Sequence, residues 1–86
     1  MYTVKLSKGA DKTLSGLDKR DQQRIILALG GLEQDPFVGK KLQGRFGGMW
    51  SVRVVPYRII YSIDKKIVTV NVVAIGDRKD VYKKLK

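Results

Sequence analysis

Two neighbouring segments, Tyr57 to Ile63 and Ile67 to Ile75, are apolar at odd and even positions alike and are separated only by Asp64, Lys65 and Lys66. A strand buried on both faces reads this way, so one or both belong at the centre of a sheet. Turn signals at Val55-Pro56 and at Asp64 to Lys66 join them to a third run, Trp50 to Val55, as an antiparallel meander. A chain of 86 residues buries only about 60% of its unfolded surface, which leaves room for one core and predicts a single domain over 1–86.

The first half carries a different period. Tyr2 to Leu6 alternates and predicts a short strand. Ser7 is placed as an N-cap, followed by Ala10, Leu14 and Leu17 at helical spacing. Asp18 is a second cap, before a helix to Glu33 whose apolar stripe is Ile25, Ile26, Leu29 and Leu32. Gly30 and Gly31 cost roughly 1 kcal/mol each within a helix and predict close helix packing or an early end. Asp35-Pro36 stops the helix, because the residue before proline avoids the α region. Phe37 to Gly48 reads as loop with a short strand at Lys41 to Gln43. The expected class is α+β, in the order β-α-α-β-β-β, with two N-terminal helices packed on one face of an antiparallel sheet.

Composition narrows the chemistry by what is missing. With no cysteine and no histidine there is no disulfide, no Cys/His metal site, no thiol nucleophile and no imidazole base. Gly44, Gly47 and Gly48 precede no GK[ST], so they form no P-loop, and no dinucleotide fingerprint is present. Catalysis would run on Arg, Lys, Tyr, Asp, Glu or Ser, and no cofactor is expected. No apolar run reaches the ~18 residues of a membrane span, and the N-terminus lacks the pattern of a secretory signal. A soluble, cytoplasmic protein with no membrane partner is expected.

The net charge of +10 is unevenly spread. Residues 1–39 are nearly neutral, whereas residues 40–86 carry twelve bases against Asp64, Asp77 and Asp80, a net +9. A polyanion or an acidic protein segment is the partner this field selects.

A two-residue connection at Val55-Pro56 pairs Val54 with Tyr57 and sets Arg53 opposite Arg58. Exposed arginines commonly just point into water. Two placed directly opposite one another destabilise a hairpin, however, and this favours a site in which two guanidinium forks grip a phosphate. In the tail GDRKDVYKKLK, Arg78, Lys79 and Tyr82 lie just past a strand end. Tyr82 is open to two readings, an anchor for the tail or a platform for a base. Asp77 is placed as a partner of Arg78 or as a general base, and Lys83, Lys84 and Lys86 as a solvated charge run. Trp50, Tyr57 and Tyr61 are placed as packing residues.

Taken together, the S-x-x-A-x-K-x-L opening from Ser7 to Leu14, the KLQG segment, the W-x-V-R-V strand, YRIIYSI and the terminal GDRKDVY resemble the RelE/ParE toxin superfamily. The match runs in order over nearly the whole chain. The resemblance implies the toxin half of a toxin–antitoxin pair and, in the RelE branch, a ribosome-dependent endoribonuclease that cuts mRNA in the A site. That chemistry uses no metal: the ribose 2′-OH attacks the adjacent phosphate and leaves a 2′,3′-cyclic phosphate. By motif position, Arg58 and Arg78 would stabilise the phosphorane or protonate the leaving oxygen. Tyr82 would stack on or orient the substrate, and Arg53 would hold the backbone. Lys40, Lys41, Arg45, Lys79 and Asp77 are placed as substrate-binding. Two positions depart from the family pattern: Ser51 is neutral where active members are often basic, and Asp77 stands where many relatives have histidine. The general base is therefore unassigned, with Lys40, Lys41 or Asp77 as substitutes.

The sequence thus points to an mRNA-cleaving toxin whose partners are mRNA, the ribosome and a small acidic antitoxin covering the basic sheet face. The alternatives are a ParE-type gyrase inhibitor without catalysis and an inactive basic nucleic-acid-binding relative.

Overall fold

The computed structural model describes residues 1–85, so Lys86 of the charge run lies outside the described residues. The chain runs β1 (Thr3–Leu6), α1 (Lys8–Gly16), α2 (Lys19–Gln34), β2 (Lys40–Lys41), β3 (Trp50–Val54), β4 (Tyr57–Asp64) and β5 (Thr69–Asp77). Short 3-10 turns cover Pro36–Val38, Gly44–Phe46 and Asp80–Leu85. The sheet order is β1-β5-β4-β3-β2, which places the two long apolar strands at its centre.

Local chemistry starts and stops the helices where expected. The Ser7 hydroxyl accepts from the Ala10 amide at 3.1 Å, and the Asp18 carboxylate accepts from the Asp21 amide at 2.9 Å. Each satisfies an amide at a helix start that would otherwise lack a partner. Ala10, Ile25, Leu29 and Leu32 of the two helices pack on Ile59, Tyr61, Val70, Val72 and Ile75 of the sheet. Burying each of the larger side chains contributes about 1.5–3 kcal/mol. The opposite face has its own smaller cluster, Ile60, Ala74 and Val81, and Val81 belongs to the C-terminal tail. The tail thus covers part of the face the helices leave open.

Five details differ from the sequence expectation. The sheet is mixed, because β1 pairs parallel to β5, Thr3 opposite Thr69 through Leu6 opposite Val72. Ile26 is 55% exposed, since only Ile25, Leu29 and Leu32 of α2 turn fully inward. Gly30 and Gly31 neither end the helix nor permit close packing, as a side chain at either would meet open space. The short strand covers Lys40–Lys41 instead of beginning at Lys41. Finally, β4 and β5 slip register: Ile60 pairs with Ala74 and Tyr61 with Val72, leaving Val73 as an extra residue. A bulge reverses which side chains face which side beyond it. Here it turns Ile75 toward the helices and puts Gly76 opposite Arg58 on the other face.

Candidate functional site

The site is built on the hairpin of β3 and β4. Arg53 pairs with Arg58 and Val54 with Tyr57, the register the Val55-Pro56 turn predicts. Both arginines therefore lie on the face away from the helices, beside Ser51, which is buried and pairs with Ile60. Arg58 is half-buried and its Nη1 donates to the Ser51 hydroxyl at 3.4 Å, a weak bond at the outer limit of length. On the far side of Arg58, Gly76 offers no side chain, and the Lys84 side chain crosses β5 there.

Just past β5 the chain turns and brings Arg78 to the same place. Arg53, Arg58 and Arg78 line one pocket of about 160 Å³ with Val55, Pro56 and Tyr57. Among the described residues the ion pairs are Arg24 with Asp21 and Lys83 with Asp80, so none engages these three guanidiniums. Asp77 accordingly forms no ion pair with Arg78, in contrast to the pairing the sequence favoured. It lies with Lys79 and Asp80 in an adjoining concavity that Arg78 also borders.

Other candidates divide by face. Lys40 pairs with Ser51 and lines a shallow concavity with Arg53 and Arg58, contiguous with the arginine pocket. Lys41 pairs with Trp50, whose ring packs on the helix-side cluster, and its ammonium sits 5.8 Å from that ring. Neighbouring strand residues point to opposite faces, which separates Lys41 from the arginines. Tyr82 and Arg45 are brought together in another concavity with Phe46 and Lys83. Tyr82 packs against the Ile60 cluster and its ring centroid lies 5.5 Å from that of Phe46. The geometry thus supports the anchoring role for Tyr82 and leaves part of its ring open.

Lys84, expected as part of a solvated run, ties the tail down. Its Nζ donates to the Ile75 carbonyl at 2.8 Å and to the Thr13 hydroxyl at 3.3 Å. A Cβ on Gly76 would lie 3.0 Å from that nitrogen, so the glycine is what lets the lysine cross β5.

The hairpin is fixed from behind by Tyr57, whose hydroxyl donates to the Asp21 carboxylate of α2 at 2.9 Å. That bond, then partial burial and the negative charges of Asp21, Asp77 and Asp18, push the phenol above its ordinary value of 10.0. A folded-state pKa raised above the unfolded one means the contribution to stability is fully present below about pH 10 and is lost as pH rises through the folded value. Melting temperature measured from pH 8 to 11 should therefore fall more steeply for the wild type than for Tyr57→Phe.

Sequence reasoning missed Phe46. Loops carry no periodicity to flag a residue, and the available signal was an aromatic directly after Arg45 in a glycine-rich stretch.

Comparison with known proteins agrees with this architecture. Residues 4–82 match the family described as ParE toxin of type II toxin-antitoxin system, parDE. Toxin RelG of Mycobacterium tuberculosis is 33% identical over 85 residues, covering 96% of this chain and 98% of that protein. The structure of the toxin-antitoxin complex RelBE2 from Mycobacterium tuberculosis superposes with a TM-score of 0.82 at 33% identity, over 90% of this chain and 98% of its counterpart. The isolated RelE toxin of E. coli shares the fold with a TM-score of 0.80 at 21% identity, over 99% and 95% of the two chains.

Proposed function

The chain belongs to the RelE/ParE superfamily and is a toxin of a type II toxin–antitoxin system, and from that premise we propose that it is a ribosome-dependent endoribonuclease that cuts mRNA in the A site. The observation that carries this reading is the pocket where Arg53, Arg58 and Arg78 meet without a carboxylate partner among the described residues. Clustered guanidiniums raise one another's energy until an anion arrives, and a phosphodiester accepts their forked donors in pairs.

In the proposed reaction the ribose 2′-oxygen attacks the adjacent phosphorus and loses its proton. A base takes the 2′-proton, the P–O5′ bond breaks, and the departing oxygen receives a proton from Arg58 or Arg78, leaving a 2′,3′-cyclic phosphate and a 5′-hydroxyl. Arg58 and Arg78 stabilise the charge that builds on the non-bridging oxygens, and Arg53 holds the backbone. Of the candidate bases, Lys40 borders this face, Asp77 pairs with Tyr57 on the helix side and lines only the adjoining concavity that Arg78 shares, and Lys41 lies across the sheet. The ribosome would hold the 2′-oxygen in line with the departing oxygen, and such alignment alone is worth several kcal/mol. The partners are then mRNA, the ribosome and a cognate antitoxin, whose acidic residues would neutralise the arginine face. RelBE2 of Mycobacterium tuberculosis is a toxin-antitoxin complex.

Expression without an antitoxin should arrest translation and produce cuts inside translated messages, mapped by primer extension, with gyrase supercoiling unaffected. One observation favours a second reading: Ser51 places a neutral hydroxyl beneath Arg58, at a position that the family resemblance gives as often basic in active members. A non-catalytic, gyrase-inhibiting toxin would need no base there, and intact messages with blocked supercoiling would establish it.

A further inference from the structure

The concavity formed by Arg45, Phe46, Tyr82 and Lys83 shares no lining residue with the arginine pocket, and nothing above assigns Phe46 a role. The Phe46 and Tyr82 rings contact each other at 5.5 Å with a 38° tilt, so together they present a continuous, half-exposed aromatic surface. The Arg45 guanidinium lies over one face of the Phe46 ring, 5.5 Å from its centroid, which fixes a cation against that surface. The concavity measures about 270 Å³, several times the ~30 Å³ share of one water, so it admits a planar ring system.

Aromatic faces flanked by cations are how proteins hold unpaired bases: the rings take the base and the charge takes the phosphate next to it. Tyr82 packs on the Ile60 cluster, whereas half-exposed Phe46 belongs to neither core cluster, so core burial does not explain its placement beside Arg45. Position also fits. Tyr82 packs on the cluster that includes Ile60, and Ile60 is two residues from Arg58 on β4, about 6.6 Å of strand. A single strand whose phosphate sits among the arginines therefore extends over this surface within a nucleotide or so.

We propose that Phe46 is a substrate-binding residue, forming with Tyr82 a platform on which one unpaired nucleobase stacks while Arg45 holds the phosphate beside it. The proposal deepens the endoribonuclease reading and rests on it for the identity of the natural ligand, but its test does not require cleavage.

The probe is a short fluorescent single-stranded oligoribonucleotide, 2′-O-methylated so that it cannot be cut, and the readout is its anisotropy with the full chain. Phe46→Leu keeps an apolar side chain at this position but removes the ring. It should weaken binding between about fivefold and a hundredfold, the range for losing one stacked base, while Phe46→Trp should retain it. Replacing single nucleotides of the probe with abasic residues should find one position that weakens wild-type binding and has no further effect on Phe46→Leu. If Phe46→Leu binds as tightly as the wild type, or every abasic probe weakens both proteins equally, the platform is only packing and the proposal falls. Should the chain leave translated messages intact, the endoribonuclease reading fails, and the anisotropy series still decides whether Phe46 stacks a base.

Discussion

Arg58→Ala should leave the melting temperature unchanged or slightly raised while lowering the single-turnover cleavage rate on programmed ribosomes by about a hundredfold or more. Both halves follow from the hairpin register. Arg53 and Arg58 stand directly opposite each other, and like charges so placed cost a few tenths of a kcal/mol up to about 1. Against that relief the variant loses one hydrogen bond, the 3.4 Å contact with Ser51, which is too long to contribute much. The rate follows the transition state, where removing a preorganised charge commonly costs about 2.7–4 kcal/mol of barrier. Arg58→Lys should restore little, because an ammonium keeps the charge and loses the planar fork. Thermal melts and single-turnover assays on the same preparations check this. A fall in stability with an unchanged rate per folded molecule, seen for both Arg53→Ala and Arg58→Ala, would move the chemistry off this face.

The largest expected loss of stability from removing no atoms at all is at Gly39. A Cβ there would collide with the Tyr61 hydroxyl and lie 2.8 Å from the Ser51 carbonyl oxygen. Neither neighbour has freedom to retreat. Tyr61 is fully buried and donates to the Pro36 carbonyl at 2.8 Å, and Ser51 is held between β2 and β4. Overpacking of this kind costs about 1–3 kcal/mol, which in a domain of this size lowers the melting temperature by about 5–20 °C. Gly39→Ala should therefore melt well below the wild type. Tyr61→Phe is costly too, since the Pro36 carbonyl loses its donor, about 1–3 kcal/mol. Combined, the two substitutions should cost less than their sum, because the phenylalanine removes the atom the new methyl meets. A strictly additive double-mutant cycle would place the strain at the Ser51 carbonyl and the Tyr61 ring carbon instead of at the hydroxyl.

How much of this could be read from sequence depended on whether a feature leaves a local trace. The Arg53–Arg58 pairing was legible because a two-residue turn fixes the register of its hairpin, and both helix caps were legible because Ser7 and Asp18 act within three residues of themselves. The β1–β5 pairing joins residues 66 apart in parallel and leaves no turn signature, so the sheet read as antiparallel throughout. Ile26 sits next to Ile25 on a helix, and spacing alone does not decide which of two adjacent apolar residues turns inward. Lys40 and Lys41 show the same ambiguity on a strand, where a shift of one residue exchanges the faces. Arg78 was legible as part of a motif, but its convergence on the hairpin depends on the Val73 bulge and the bend after β5, neither of which has a residue signature.

The pairing of the first strand with the last also governs when the protein comes into being. Helices and hairpins close within microseconds, whereas joining Thr3 to Thr69 means closing a loop that encloses most of the chain. During synthesis β1 and the helical pair leave the ribosome with no central strand to dock on, and they wait until β5 has followed. Arg78 emerges later still, beyond the end of β5. A nascent chain therefore holds no assembled guanidinium pocket until Arg78 has followed β5 and the hairpin has docked.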